Sequence, residues 1–153
     1  MIAATLALLV AQADAPPAAA ASINADYHFR YLNRLDPAQG WRRTVSGLRY
    51  RKLSGDAEGP RPSPTDTVTI HYVGRFIDGT EFDSSVRRGE PATFPLGRLI
   101  RGWQEGVPMM SVGDRYEFAI PYSLAYGYSG RGPIPGGATL LFTIELIAIA
   151  PPQ

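Results

Sequence analysis

The sequence predicts an α+β domain of about five strands, mostly antiparallel, with one short helix inserted between them. Three observations predict it. Apolar residues alternate with a period of two at several places, most clearly at Leu140, Phe142, Ile144 and Leu146. The chain of 153 residues carries 16 glycines and 14 prolines, which favours turns and short strands over long helices. Within the body a single stretch around Trp103 breaks the strand pattern, and it is a weak helix former, with Gly102 and Gly106 inside it and Pro108 behind it. Such a helix must be held by packing, and Trp103 is the large apolar group available to pack. An antiparallel sheet also needs something apolar over one face, and this helix is the candidate inside the body.

Residues 1–15 stand apart. Ile2 to Ala11 is an apolar run too short to span a bilayer, and Ala11-Gln12-Ala13 and Ala13-Asp14-Ala15 both fit the small-x-small rule. This is the pattern of a secretory signal peptide cleaved near Ala13 or Ala15, although no Lys or Arg precedes the run. The expectation is a periplasmic or secreted protein without stable membrane insertion. Residues 16–45 are expected to be an extension: a Pro/Ala linker over Pro16 to Ser22, then a short helix over Asn24 to Leu35. Tyr27, Tyr31, Leu32 and Leu35 recur at helical spacing, and Asp36-Pro37 stops the pattern. Trp41-Arg42-Arg43 reads as a surface-docked segment.

The folded domain is expected over residues 46–150. Leu48 to Leu53 alternates weakly, as an edge strand does, and Pro60, Pro62 and Pro64 form a loop. Val68, Ile70 and Tyr72 mark one face of a half-buried strand. Asp78-Gly79 is a hairpin turn leading into Thr80 to Asp83. Ser84 to Pro91 is polar and reads as a loop or bulge. Tyr116, Phe118 and Ile120 share a strand face, and residues 139–149 form the last strand. Between these two strands, Pro121 to Gly137 is a long loop rich in Gly, Pro and Tyr, a length that in a small domain is usually functional.

Most chemistries are excluded. The net charge of +1 leaves no electrostatic footprint for nucleic acid or an anionic membrane. With no cysteine there is no disulfide framework, thiolate metal site or thiol nucleophile. The two histidines, His28 and His71, are far apart, and no cofactor or metal is expected. Ser123 and Ser129 lack a nucleophile elbow, and Gly130-Arg131-Gly132 lacks the strand–helix setting of a dinucleotide fingerprint. What remains is an accumulation of aromatic residues near loops: Tyr72, Phe82, Phe94, Trp103, Tyr126 and Phe142. Any one of them alone reads as ordinary core.

Together with their neighbours they carry a resemblance. Thr69-Ile70-His71-Tyr72-Val73-Gly74 is followed by Asp78-Gly79-Thr80-Glu81-Phe82-Asp83-Ser84-Ser85 and Phe94-Pro95-Leu96-Gly97. Then come Ile100-Arg101-Gly102-Trp103-Gln104-Glu105-Gly106-Val107, Met110-Ser111-Val112-Gly113, Ala125-Tyr126-Gly127, Ile134-Pro135 and Ala138 to Leu146. Each motif is weak alone. In this order and spacing they resemble the FKBP-type peptidyl-prolyl cis-trans isomerases of the secreted bacterial type, over essentially the whole body.

The resemblance implies a five- to six-stranded antiparallel sheet wrapped around one short helix. It implies that Trp103 is the floor of an apolar proline pocket, with Tyr72, Phe82 and Phe142 as walls and Leu99 and Ile100 on the rim. Phe94 would line the same pocket. The Ile100 N–H and the Tyr126 hydroxyl would hold substrate carbonyls. Asp83 would sit near Tyr72, paired with Arg88, and Ile134 would overhang the pocket. The implied partners are proline-containing peptides and unfolded proteins, with macrolides as inhibitors, bound by a monomer. Ala92 stands where the family prototype has another pocket aromatic, and no large insert lies between Tyr126 and Ala138. Two other readings share these residues: a proline-segment binding module without turnover, and a folding chaperone of the cell envelope.

Overall fold

The computed structural model describes residues 18–150, so the expected signal peptide lies outside the described residues. In chain order the elements are α1 (Ala18–Asn33), β1 (Arg42–Arg43), β2 (Arg49–Ser54), β3 (Thr67–Arg75), β4 (Glu81–Ser84), α2 (Ser85–Arg88), β5 (Ala92–Pro95), α3 (Arg101–Gly106), β6 (Arg115–Ile120) and β7 (Leu140–Ala150). The expected antiparallel sheet around one short helix is what forms. Its strand order is β1-β2-β6-β7-β3-β4, and β5 also pairs with β3. One edge is shared: β5 lies along the first half of β3, and β4 along its last residues.

The alternation read from the sequence sets which face is inside. Val68, Ile70, Tyr72 and Gly74 of β3 are buried, while Thr67, Thr69, His71 and Val73 between them are only partly so. On β7, Leu140, Phe142, Ile144 and Leu146 are all fully buried. Both strands face α3, whose two glycines explain how so short a helix is held. A Cβ on Gly102 would sit 2.5 Å from Ile120 Cγ2, and one on Gly106 would sit 2.6 Å from Phe118 Cε1. Spaced four apart, the glycines share one helix face and let β6 approach the helix backbone.

Three expectations change in detail. β2 is not the edge, because β1 pairs with it through Arg42 and Arg43. The expected polar loop after Asp83 contains α2, a single helical turn that divides the edge strand. Ser84 Oγ accepts a hydrogen bond from the Arg87 N–H, and Gly89 closes the turn at φ 82°. The N-terminal helix begins at Ala18, six residues earlier than Asn24, within the stretch read as linker. Alanine has the highest helix propensity, and the run from Ala18 to Ala21 extends the helix at little cost.

Among the described residues, this helix docks through its C-terminal turns. Leu32 is buried with Trp41 and Ala119, with Leu35 and Leu141 against them, whereas Tyr27 is 63% exposed rather than part of an apolar face. Trp41 is therefore a docked residue, covered by the Arg51 guanidinium at 4.8 Å from the ring. The result is a second, smaller cluster on the outer face of the sheet.

Gly102→Ala should lower stability. Overpacking against Ile120 costs about 1–3 kcal/mol, and the gain in helix propensity of about 1 kcal/mol recovers only part of it. A fall in the urea midpoint at constant m-value is the expected readout.

Candidate active site

Trp103 lies in the first turn of α3, almost wholly buried. Three rings meet it edge-on or nearly so: Phe142 of β7 at 5.1 Å between centroids, Tyr72 of β3 at 5.4 Å and Phe94 of β5 at 6.2 Å, with interplanar angles of 81–89°. Edge-to-face contact of this kind adds about 0.5–1.5 kcal/mol per pair beyond burial. Phe82 of β4 joins through Phe142, at 5.6 Å and 85°. It can reach because of Gly74: a Cβ there would lie 2.7 Å from Phe82 Cζ and 2.8 Å from Phe142 Cε1. Phe76, which no motif in the sequence singles out, packs on Phe82 at 4.9 Å. Its place follows from the hairpin, closed by hydrogen bonds between Phe76 and Thr80 and between Gly79 and Phe76.

Leu99 and Ile100 lead into α3 and are buried in the same cluster as Trp103, Tyr126 and Ile134. Gln104 ties this entrance down, its Nε2 donating to the carbonyls of Leu99 (2.7 Å) and Gly97 (3.3 Å). Ile100 is the residue that caps the helix, so its own N–H precedes the ladder and donates to none of the helix carbonyls. Ile134 sits on the long loop, in a tight turn closed by two backbone bonds with Arg131, of 2.8 and 2.9 Å.

The polar side of the site is a triangle. The Tyr72 hydroxyl donates to Asp83 Oδ2 at 2.6 Å, Arg88 Nη1 donates to Asp83 Oδ1 at 2.5 Å, and Arg88 Nη2 donates to the Tyr72 hydroxyl at 2.9 Å. Helix α2 carries Arg88, so the turn that splits the edge strand also supplies the cation that neutralises buried Asp83. Each of the three groups in the triangle then bonds to the other two, as buried charge requires.

Two buried polar atoms of the aromatic site are not satisfied. Among the described residues, Tyr126 Oη and Trp103 Nε1 have no hydrogen-bond partner. A buried hydroxyl without a partner costs about 1–3 kcal/mol, so each is a group awaiting one. Burial pushes the Tyr126 hydroxyl well above its ordinary pKa, and the charge of Arg131 on the long loop pulls the other way. Tyr72 is also pushed up, first by burial and then by its bond to Asp83. Both hydroxyls are therefore donors at any neutral pH. Among the described residues, no group of three or more His, Asp or Glu side chains could hold a metal ion.

The ten residues named from the sequence thus come together. Nine belong to or pack against one apolar cluster, and Asp83 is joined to it through Tyr72. The sequence pattern of the FKBP-type peptidyl-prolyl cis-trans isomerases matches residues 59–147, more than half of the chain. The chain belongs to this family. It is 49% identical over 122 residues to the isomerase FkpA of Aeromonas hydrophila, covering 80% of this chain and 45% of that protein. To the FKBP-type 22 kDa isomerase of Escherichia coli it is 47% identical over 121 residues, covering 78% and 58%. The chain thus spans about half the length of these relatives. Among solved structures, FkpA from Escherichia coli superimposes with a TM-score of 0.84 at 36% identity, covering 88% of this chain and 63% of that one. An isomerase from Pseudomonas syringae gives 0.77 at 30% identity, covering 91% and 99%.

The buried tyrosines predict an alkaline limit to stability. Unfolded tyrosines lose their protons near pH 10, whereas Tyr126 in the fold does not, so the unfolded state binds fewer protons and stability falls as pH rises past about 10. Urea midpoints measured at pH 8 and 10.5 should show this loss, and Tyr126→Phe should lessen it.

Proposed function

We propose that this chain catalyses cis-trans rotation about X–Pro bonds in protein substrates and so assists folding. Residues 46–150 would carry the activity. The observation that best supports this is the unpartnered Tyr126 hydroxyl at an aromatic site floored by Trp103. An apolar ring and a carbonyl acceptor are what such a site lacks, and a prolyl peptide offers both.

The chemistry asks for little else. Rotation about the peptide C–N bond is opposed by about 18–20 kcal/mol, because resonance gives that bond partial double character. Uncatalysed X–Pro exchange takes tens to hundreds of seconds, about the pace of slow folding phases. No covalent bond forms and no proton needs to move. The twisted amide has lost resonance and is less polar than the planar one. A site lined by Tyr72, Phe82, Phe94, Trp103 and Phe142 disfavours the solvated planar form relative to it. Leu99 and Ile134 would close the rim. The Ile100 N–H and the Tyr126 hydroxyl would each hold a substrate carbonyl, anchoring one side of the bond while the other turns. In this reading Asp83 is neither acid nor base. With Arg88 it holds Tyr72 in place and sets the field beside the rotating carbonyl.

The proposed substrates are proline-containing segments of unfolded proteins, and macrolides of the kind that bind this family would compete for the same site. The amino-terminal pattern supports a periplasmic or secreted location, and one relative, 45% identical over 105 residues, is named an outer membrane protein in Legionella longbeachae. The mature terminus of exported protein would test the location.

In a protease-coupled Pro-peptide assay, Tyr126→Phe should lower kcat/KM about tenfold, the worth of one hydrogen bond to a buried group. Phe82→Ala, at a half-buried position, should lower it further with the fold kept. Trp103→Ala should nearly abolish turnover and cost about 3–5 kcal/mol of stability. Wild-type rates for both Phe82→Ala and Asp83→Leu would overturn the assigned site.

A further inference from the structure

A cavity of about 220 Å³ lies away from the aromatic site, between α1 and the outer face of the sheet. Its walls are partly apolar, from Phe29, Leu32 and Tyr122. Its charged side chains are both cations, and its other polar side chains are neutral. Arg49 and Arg43 line it, and no aspartate or glutamate does.

Arg49 is the unusual member. It is only 8% exposed, yet its guanidinium faces neutral acceptors alone: Leu32 O at 3.4 Å, Gly47 O at 3.4 Å and Asn33 Oδ1 at 3.2 Å. These are long bonds, and they occupy three of five donors. Arg43 is its cross-strand neighbour through the β1–β2 pairing and carries no carboxylate partner among the described residues. One carboxylate does reach the rim, that of Glu105, which accepts from Ser46 Oγ, but it forms no ion pair with either arginine. Two guanidinium groups side by side, one of them buried, form a site short of negative charge.

Two further donors meet them there. His28 Nδ1 accepts from the Thr139 N–H at 3.0 Å, which leaves the proton of a neutral imidazole on Nε2. Burial lowers the His28 pKa, which keeps that ring neutral. The Thr139 side chain is fully buried, and its hydroxyl has no partner among the described residues.

The geometry points to a second ligand site, taking a single carboxylate attached to an apolar or aromatic group. The carboxylate pairs with Arg43 and the two spare N–H groups of Arg49, within reach of the Thr139 hydroxyl. The apolar body lies against Phe29, Leu32 and Tyr122. An arginine fork binds a carboxylate through two parallel bonds, and the apolar wall separates such a ligand from inorganic anions. Two sources share this chemistry, a free aromatic acid and the C-terminus of a peptide ending in an apolar residue. This inference does not depend on the isomerase reading.

Titration of the full chain, followed by amide chemical shifts, tests it. The probes are phenylacetate, its neutral counterpart phenylacetamide, and a short proline-free peptide ending in Phe with either a free or an amidated C-terminus. Saturable shifts at His28, Gly47 and Thr139 are expected from at least one carboxylate probe and from neither amide. Arg43→Gln, at an exposed position, should weaken binding about tenfold or more, the worth of a charge-assisted bond, and Thr139→Val should weaken it less. Isomerase activity should not change in either variant. Phenylacetate alone assigns a free acid, the peptide alone assigns a chain terminus, and both together assign the carboxylate whatever its source. The site is overturned if no carboxylate probe saturates, if the amides bind as well, or if both variants bind at wild-type strength.

Discussion

Close contact between α3 and β6 is the constraint on which the rest of the structure depends. Gly102 and Gly106 present bare backbone to Ile120 and Phe118, and there is no room for a Cβ at either place. Each glycine costs the isolated helix about 1 kcal/mol. In exchange the helix sinks onto the sheet, and Trp103 stands among rings from three strands. A better helix former would stand off the sheet and lift Trp103 out of register with Tyr72 and Phe142. The same logic recurs at Gly74, where the missing side chain is the space that Phe82 and Phe142 share.

Polar groups divide by whether the fold satisfies them. Asp83 is buried, and α2 brings Arg88 to it, with Tyr72 bonded to both. That network is complete and therefore holds its members still. Among the described residues, Tyr126 Oη and Trp103 Nε1 are buried without partners. The contrast is between a network that the fold completes and donors that it leaves free to bond. The Thr139 hydroxyl, under α1, also lacks a partner among the described residues.

Much of this was legible in the residues. Period-two alternation placed Val68, Ile70 and Tyr72, and Leu140 through Leu146, on inward faces, because a strand points successive side chains to opposite sides. Asp78-Gly79 announced its hairpin, since few residues tolerate the positive φ that Gly79 adopts at 92°. The order of the aromatic motifs indicated the family, and through it all ten candidate site residues. Less legible was α2, although Ser84 and Gly89 are ordinary caps. One turn is too short to show a period.

Residue spacing along a chain reports local conformation and which face is apolar, and here it determined the strands, the weak central helix and the aromatic set. It reports nothing about which surfaces meet across the fold. That the glycines of α3 serve the approach to Ile120 and Phe118, that Leu32 rather than Tyr27 docks α1, that Tyr126 is left without a partner, and that Arg43 and Arg49 share a cavity lined by no carboxylate were all decided by tertiary packing. The reason is that hydrogen-bond satisfaction and close approach are properties of pairs distant in sequence. A single chain position carries no mark of its partner until the sheet has closed around the helix.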